Sequence, residues 1–274
     1  MHKFKKQEIV YFLTNVKNVG AICKKETQLP GLYLTRNAPF LSAAERIFMR
    51  YENVISGRFV DRPNRFIAHV ETAEGIQVCH VKNTGRCREL LVPGSTVYLE
   101  PSRTPGRRTA FDLIAVEKGS LLINMDAQAP NRVFEEWAAA GGFSPEVTAV
   151  RREVRWGDSR LDFCLETPHG PHLVEVKGVT LEEGGAARFP DAPTERGVKH
   201  IHELIRAVQE GLDATLFFVV QIENIHSVAP NDETHPAFGE ALRFAVSQGV
   251  NVCAYNCLVT PDSITIHRPV PVIL

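Results

Sequence analysis

The stretch RLDFCLETPHGPHLVEVKGV, Arg160–Val179, decides how the rest of the chain is read. Two runs rich in β-branched and aromatic residues, Leu161–Thr167 and His172–Lys177, flank a turn at Pro168-His169-Gly170-Pro171, which predicts a pair of antiparallel strands. Polar residues interrupt both runs: Asp162 in the first, Glu175 and Lys177 in the second. Glu175 and Lys177 are two apart, so they point to one face of a strand, and the turn folds Asp162 back beside them. Charges clustered in a sheet are costly unless a partner such as a metal ion compensates them. Oxygen ligands with no adjacent Cys or His select a hard cation, Mg²⁺ or Mn²⁺. Such a cation would acidify a water and neutralise charge developing on a phosphodiester, while Lys177 orients the water or stabilises the oxyanion. A structural Glu–Lys pair on an edge strand accounts for the bare pattern as well.

Downstream, the spacing predicts a helix from about Thr194 to Gln209, with Thr194 as its cap and Gly211 beyond its end. Leu216–Gln221, LFFVVQ, reads as a strand buried on both faces. A helix at Pro236–Gln248 and strands at Val250–Tyr255 and Ser263–His267 follow. Upstream, NRVFEEWAAAGG predicts a helix capped by Asn131, and Glu153–Trp156 a further strand, giving a mixed α/β domain over residues 126–274. Residues 49–125 read instead as short strands, Val54–Asp61, Arg65–Thr72, Gly75–Lys82, Thr96–Glu100 and Ala110–Val116, which suggest a small OB-like barrel. Residues 1–48 show no sustained periodicity and read as an N-terminal extension; Met49, after Glu45-Arg46, is a candidate native start.

The 274 residues are 44% hydrophobic and 23% charged, which excludes collagen-like and wholly disordered chains. No window approaches the length of an apolar membrane helix, and a soluble cytoplasmic protein is expected. Six cysteines form no CxxC pair; Cys253 and Cys257 read as buried thiols rather than a zinc site. The net charge of −1 hides an asymmetry: residues 1–48 carry +5, 49–120 carry +3 and 121–274 carry −9. That split fits a polyanion-facing module beside a carboxylate-rich site, and equally a chance scatter. Arg62, Arg65, Lys82, Arg86, Arg88, Arg103, Arg107 and Arg108 fall near barrel strand ends, where phosphate contacts and solvated loop charge are both common.

The Asp…Glu-x-Lys pattern of Asp162, Glu175 and Lys177 resembles the signature of the PD-(D/E)xK nucleases. The runs ENVISGRFVDRPNRF, HVKNTGRCRELLVPG, EVRWGDSRLDF, VEVKGVTLEE and FPDAPTERGVKHIHEL extend the likeness: from Met49 onward the chain resembles the sugar fermentation stimulation protein (SfsA) family. The resemblance implies an OB-like nucleic-acid-binding domain joined to a restriction-endonuclease-like α/β domain, acting on DNA or RNA as a nuclease or as a binding protein. It carries Asp162, Glu175 and Lys177 to the catalytic positions, the two carboxylates also to the metal. Glu135, Glu136 and Gln221 are candidate accessory residues, and Arg196 and Lys199, on the helix after FPDAPTERG, candidate phosphate contacts beside a helix N-terminus. His200 and His202 are two apart on that helix and make a poor metal pair. The leading expectation is a Mg²⁺- or Mn²⁺-dependent nuclease; the alternative is a non-catalytic DNA-binding regulator of sugar-utilisation genes.

Overall fold

Alternating inward and outward side chains build the first half of the molecule. The computed structural model describes residues 10–11, 49–83, 85–104 and 106–274. Two short strands, β1 (Val10–Tyr11) and β2 (Met49–Arg50), precede β3 (Ile55–Asn64), β4 (Ile67–Thr72), β5 (Gly75–Val81), β6 (Thr96–Pro101), β7 (Phe111–Lys118) and β8 (Leu121–Asn124). Antiparallel pairing runs β5-β4-β3-β6-β7-β8, and a parallel contact between β5 and β7, Cys79 opposite Phe111 and Val81 opposite Leu113, closes five of these strands into a barrel. Phe59, Val70, Cys79, Val97, Leu99 and Leu113 are buried inside it. The OB-like barrel expected from the strand spacing is therefore present, with β8 as an unanticipated strand at its margin.

The chain then enters α1 (Ala129–Ala139). Asn131 is not its cap: the helix begins two residues earlier, behind Gln128, because Pro130 suits a first-turn position whose N–H would have no partner. Next come β9 (Ala149–Trp156), β10 (Ser159–Thr167), β11 (Gly170–Val179), β12 (Leu181–Glu183), β13 (Ala186–Phe189), α2 (Glu195–Gln209), β14 (Asp213–Val220), β15 (Ser227–Pro230), α3 (Pro236–Ser247), β16 (Asn251–Thr260), β17 (Ser263–Val270) and β18 (Val272–Ile273). Seven of the strands form a mixed sheet ordered β2-β17-β16-β14-β11-β10-β9, in which β14 runs parallel to both neighbours. Helix α1 covers one face through Phe134, whose ring lies 5.0 Å from Phe163 and 4.8 Å from Phe217. Helices α2 and α3 cover the other, where Ile201, Leu204 and Leu242 join Leu216 and Phe218 in one apolar cluster.

A third sheet, β1-β18-β15-β13-β12, is assembled from strands of two to four residues, too short to carry a periodic signal. The expectation about residues 1–48 lies outside the described residues, apart from Val10–Tyr11. Among the described residues no helix is long and apolar enough to cross a membrane, and Cys79, Cys87, Cys164, Cys253 and Cys257 are free.

Candidate active site

The β10–β11 ladder runs from Thr167 opposite Gly170 to Phe163 opposite Val174 and then stops. Side chains take over where the backbones part. The Asp162 N–H donates to Glu175 Oε2 (3.4 Å), and the Val176 N–H donates to Asp162 Oδ2 (2.9 Å). The carboxylates thus stand in for ladder partners and are fixed by the same hydrogen bonds that hold the strands. Asn131, on the first turn of α1, donates through Nδ2 to Asp162 Oδ1 (2.9 Å). Lys177 Nζ and His200 Nδ1 both reach Glu175 Oε1. His200 is brought there by α2, whose start is fixed by Thr194: its Oγ1 accepts the Gly197 N–H at 3.0 Å.

The two carboxyls are driven apart in acidity. Burial, and then the charge of Glu175, push Asp162 above its ordinary value, against Lys177, the Val176 N–H and Asn131. Burial acts to raise Glu175 too, but the Lys177 ammonium and the His200 ring outweigh it and hold that carboxyl low. The uncompensated negative charge is therefore concentrated on Asp162, where a cation would relieve it. Among the described residues no three His, Cys, Asp or Glu side chains gather into a ready cage. Mg²⁺ retains several waters and is commonly held by one or two carboxylates, so the Asp162–Glu175 oxygen pair fits it.

Between the barrel and the α/β domain lies a cleft of about 880 Å³, lined by Arg65, Arg86, Arg88, Arg188, Gly178 and Thr194 among others. Its walls adjoin the carboxylates without including them: Gly178 follows Lys177, and Thr194 begins the helix that carries His200. The two halves meet closely here. The Arg86 N–H donates to Asp191 Oδ2 (3.1 Å), and a Cβ on Gly85 would sit only 2.1 Å from that oxygen, so a larger residue there would displace the Asp191 carboxylate.

Two family models divide the chain in the same way as the fold. That of the SfsA N-terminal OB domain matches residues 60–125, and that of the sugar fermentation stimulation protein RE domain matches residues 128–263. A sugar fermentation stimulation protein homolog of Clostridium beijerinckii is 50% identical over 226 residues, covering 82% of this chain and all of the relative. The chain belongs to the sugar fermentation stimulation protein family. Its homolog in Desulfitobacterium hafniense strain Y51 is 54% identical over 216 residues, 79% of this chain and 94% of the relative. Among solved structures, Pyrococcus furiosus SfsA in complex with Ca²⁺ superimposes with a TM-score of 0.75 at 30% identity, over 82% of this chain and 98% of that one.

In this SfsA-family chain the structure brings together Asp162, Glu175 and Lys177, and gives most of the other candidates partners of their own. Glu135 pairs with Arg152 and Glu136 with Arg132, each at 3.1 Å. Gln221 lines the cleft with its Oε1 beside Gly178, while its Nε2 donates to the Asn124 and Asp126 carbonyls and to Asn124 Oδ1, tying the α/β domain to the end of the barrel. Arg62 is consumed by the carbonyls of Arg65, Asn83, Gly85 and Arg86. Lys82 is paired with Asp126 and Asp112, and Arg107 with Asp112. These three are internal struts rather than phosphate contacts. Arg65, Arg86 and Arg88 face the cleft; Arg108 is exposed elsewhere, and Lys199 holds the Asp158 carbonyl. Arg196 leans back on His200 Nε2 at 3.4 Å. Sequence reading missed Asn131 and His200 as partners of the carboxylates. For His200 a signal existed, since it lies in the buried stripe Gly197, His200, Ile201, Leu204 of α2.

Proposed function

We propose that the chain is a metal-dependent nuclease that hydrolyses phosphodiester bonds in DNA or RNA, with the barrel binding the strand. The observation that carries this reading is the Asp162–Glu175 pair held open at the parting of β10 and β11 with Lys177 beside it. A pure binding protein gains nothing from carboxylates that repel phosphate. Asp162 and Glu175 would hold Mg²⁺ or Mn²⁺, and the cation would neutralise charge on the phosphodiester and raise the acidity of the attacking water. Lys177 stabilises negative charge developing on the phosphoryl oxygens. Asn131 and His200 fix the two carboxylates, as outer partners of metal ligands do. The Ca²⁺ complex of the Pyrococcus relative supports the metal part of the reading, since Ca²⁺ and Mg²⁺ both seek oxygen donors.

Labelled single- and double-stranded DNA and RNA, incubated with Mg²⁺, Mn²⁺ or EDTA, test this. Cleavage is expected with metal only, and is expected to disappear in Asp162→Asn and Glu175→Gln. Salt-sensitive binding with no cleavage under any metal would instead support the non-catalytic regulator.

A further inference from the structure

Phe66 stands out on the barrel surface. It is half exposed in the turn between β3 and β4, and that turn is fixed: Asn64 Oδ1 accepts the N–H groups of both Phe66 (2.9 Å) and Ile67 (3.1 Å). The Arg65 guanidinium lies 5.9 Å from the ring centroid and also lines the cleft. Beside this turn, joined to it through Arg62, Arg86 and Arg88 are both exposed, while Cys87 between them is buried with φ at 44°. A non-glycine residue rarely adopts that conformation without a compensating role. Among the described residues none of these three arginines has an ion-pair partner. Arg62 anchors the loop that carries two of them by bonding the Gly85 and Arg86 carbonyls.

A fixed aromatic ring capped by a guanidinium offers a flat surface to an unstacked base, and free guanidinium groups beside it suit phosphates. Duplex bases already stack on each other and present no such face. We propose that Phe66 and Arg65 stack an unpaired base while Arg86 and Arg88 hold the flanking phosphates, so that the cleft takes single-stranded nucleic acid. This rests on the polynucleotide reading above and names the form of the substrate.

Fluorescence anisotropy in EDTA separates binding from cleavage. The probe is a labelled oligothymidylate of about fifteen nucleotides, matched to the usual reach of such folds, beside a duplex of the same length. The wild type is expected to bind the single strand about tenfold more tightly than the duplex, and Phe66→Leu to lose about tenfold on the single strand only. Phe66→Trp is expected to keep the affinity, with the added indole emission quenched on binding. Arg86→Ala is expected to lower the salt slope by about 0.7. Wild-type affinity in Phe66→Leu, or equal affinity for the duplex, would overturn the proposal. Binding of the expected kind without cleavage in metal would defeat the nuclease reading alone; cleavage indifferent to Phe66→Leu would defeat this one alone.

Discussion

Glu175 holds the Lys177 ammonium and the His200 ring on a single oxygen, and the consequences begin there. With Lys177 and His200 both on Oε1, Oε2 accepts only the Asp162 N–H, a long contact at 3.4 Å. That oxygen keeps capacity for a further positive partner. Lys177→Met would preserve the apolar stem and remove only the ammonium, so a loss of about 10²- to 10³-fold in cleavage rate is expected, with thermal unfolding checking that the fold survives. His200→Gln removes the ring from Glu175 but touches no substrate, and a Mn²⁺ affinity about tenfold weaker by titration calorimetry is expected. An unchanged affinity would make His200 a packing residue only. The trio Asp162, Glu175 and Lys177 was legible in the sequence because charged residues interrupt apolar strands at a spacing that sets them on one side. His200 was legible only as a position on the buried stripe of α2; that it meets Glu175 depends on how α2 packs across the sheet, which no local pattern records.

At the scale of elements, α2 is positioned by its first turn. Thr194→Ala deletes the bond to the Gly197 N–H, so about 1 kcal/mol of stability should be lost in denaturant unfolding, and His200 would be less firmly held. The same scale explains the misread arginines. Sequence shows a positive residue near a strand end, but not whether carbonyls or carboxylates already claim it. Arg62 closes the loop at Asn83–Arg86, and Arg107 and Lys82 neutralise buried Asp112 and Asp126. The third sheet was invisible for a related reason, since its strands are defined by partners distant in the chain rather than by their own two to four residues.

For the molecule as a whole, the junction between barrel and α/β domain decides whether cleft and carboxylates stay in register. Gln221→Leu would strip three acceptors of their buried donor, at a cost of roughly 2–4 kcal/mol, and the expected result is a lower denaturant midpoint. Barrel stability also depends on pH through Asp112. Burial acts to raise this carboxyl, but Arg107, Lys82 and His80 outweigh it and hold it below its ordinary 3.8. A depressed folded value means that the stabilisation is fully present above pH 3.8 and is lost as pH falls through the lower folded value. Asp112→Asn should flatten that acid limb in melting curves taken across the range; an unaltered limb would assign acid unfolding to other groups. Barrel and mixed sheet were both foreshadowed by strand spacing and by the apolar run at β14, whereas the bonds joining them were not. The most direct test of the central claim is the single-turnover cleavage rate of a labelled polynucleotide in Mn²⁺ by wild type and Lys177→Met purified in parallel. Rapid wild-type cleavage that falls about 10²-fold or more in the variant is the predicted result; equal rates, or no cleavage by either, would contradict a nuclease built on Asp162, Glu175 and Lys177.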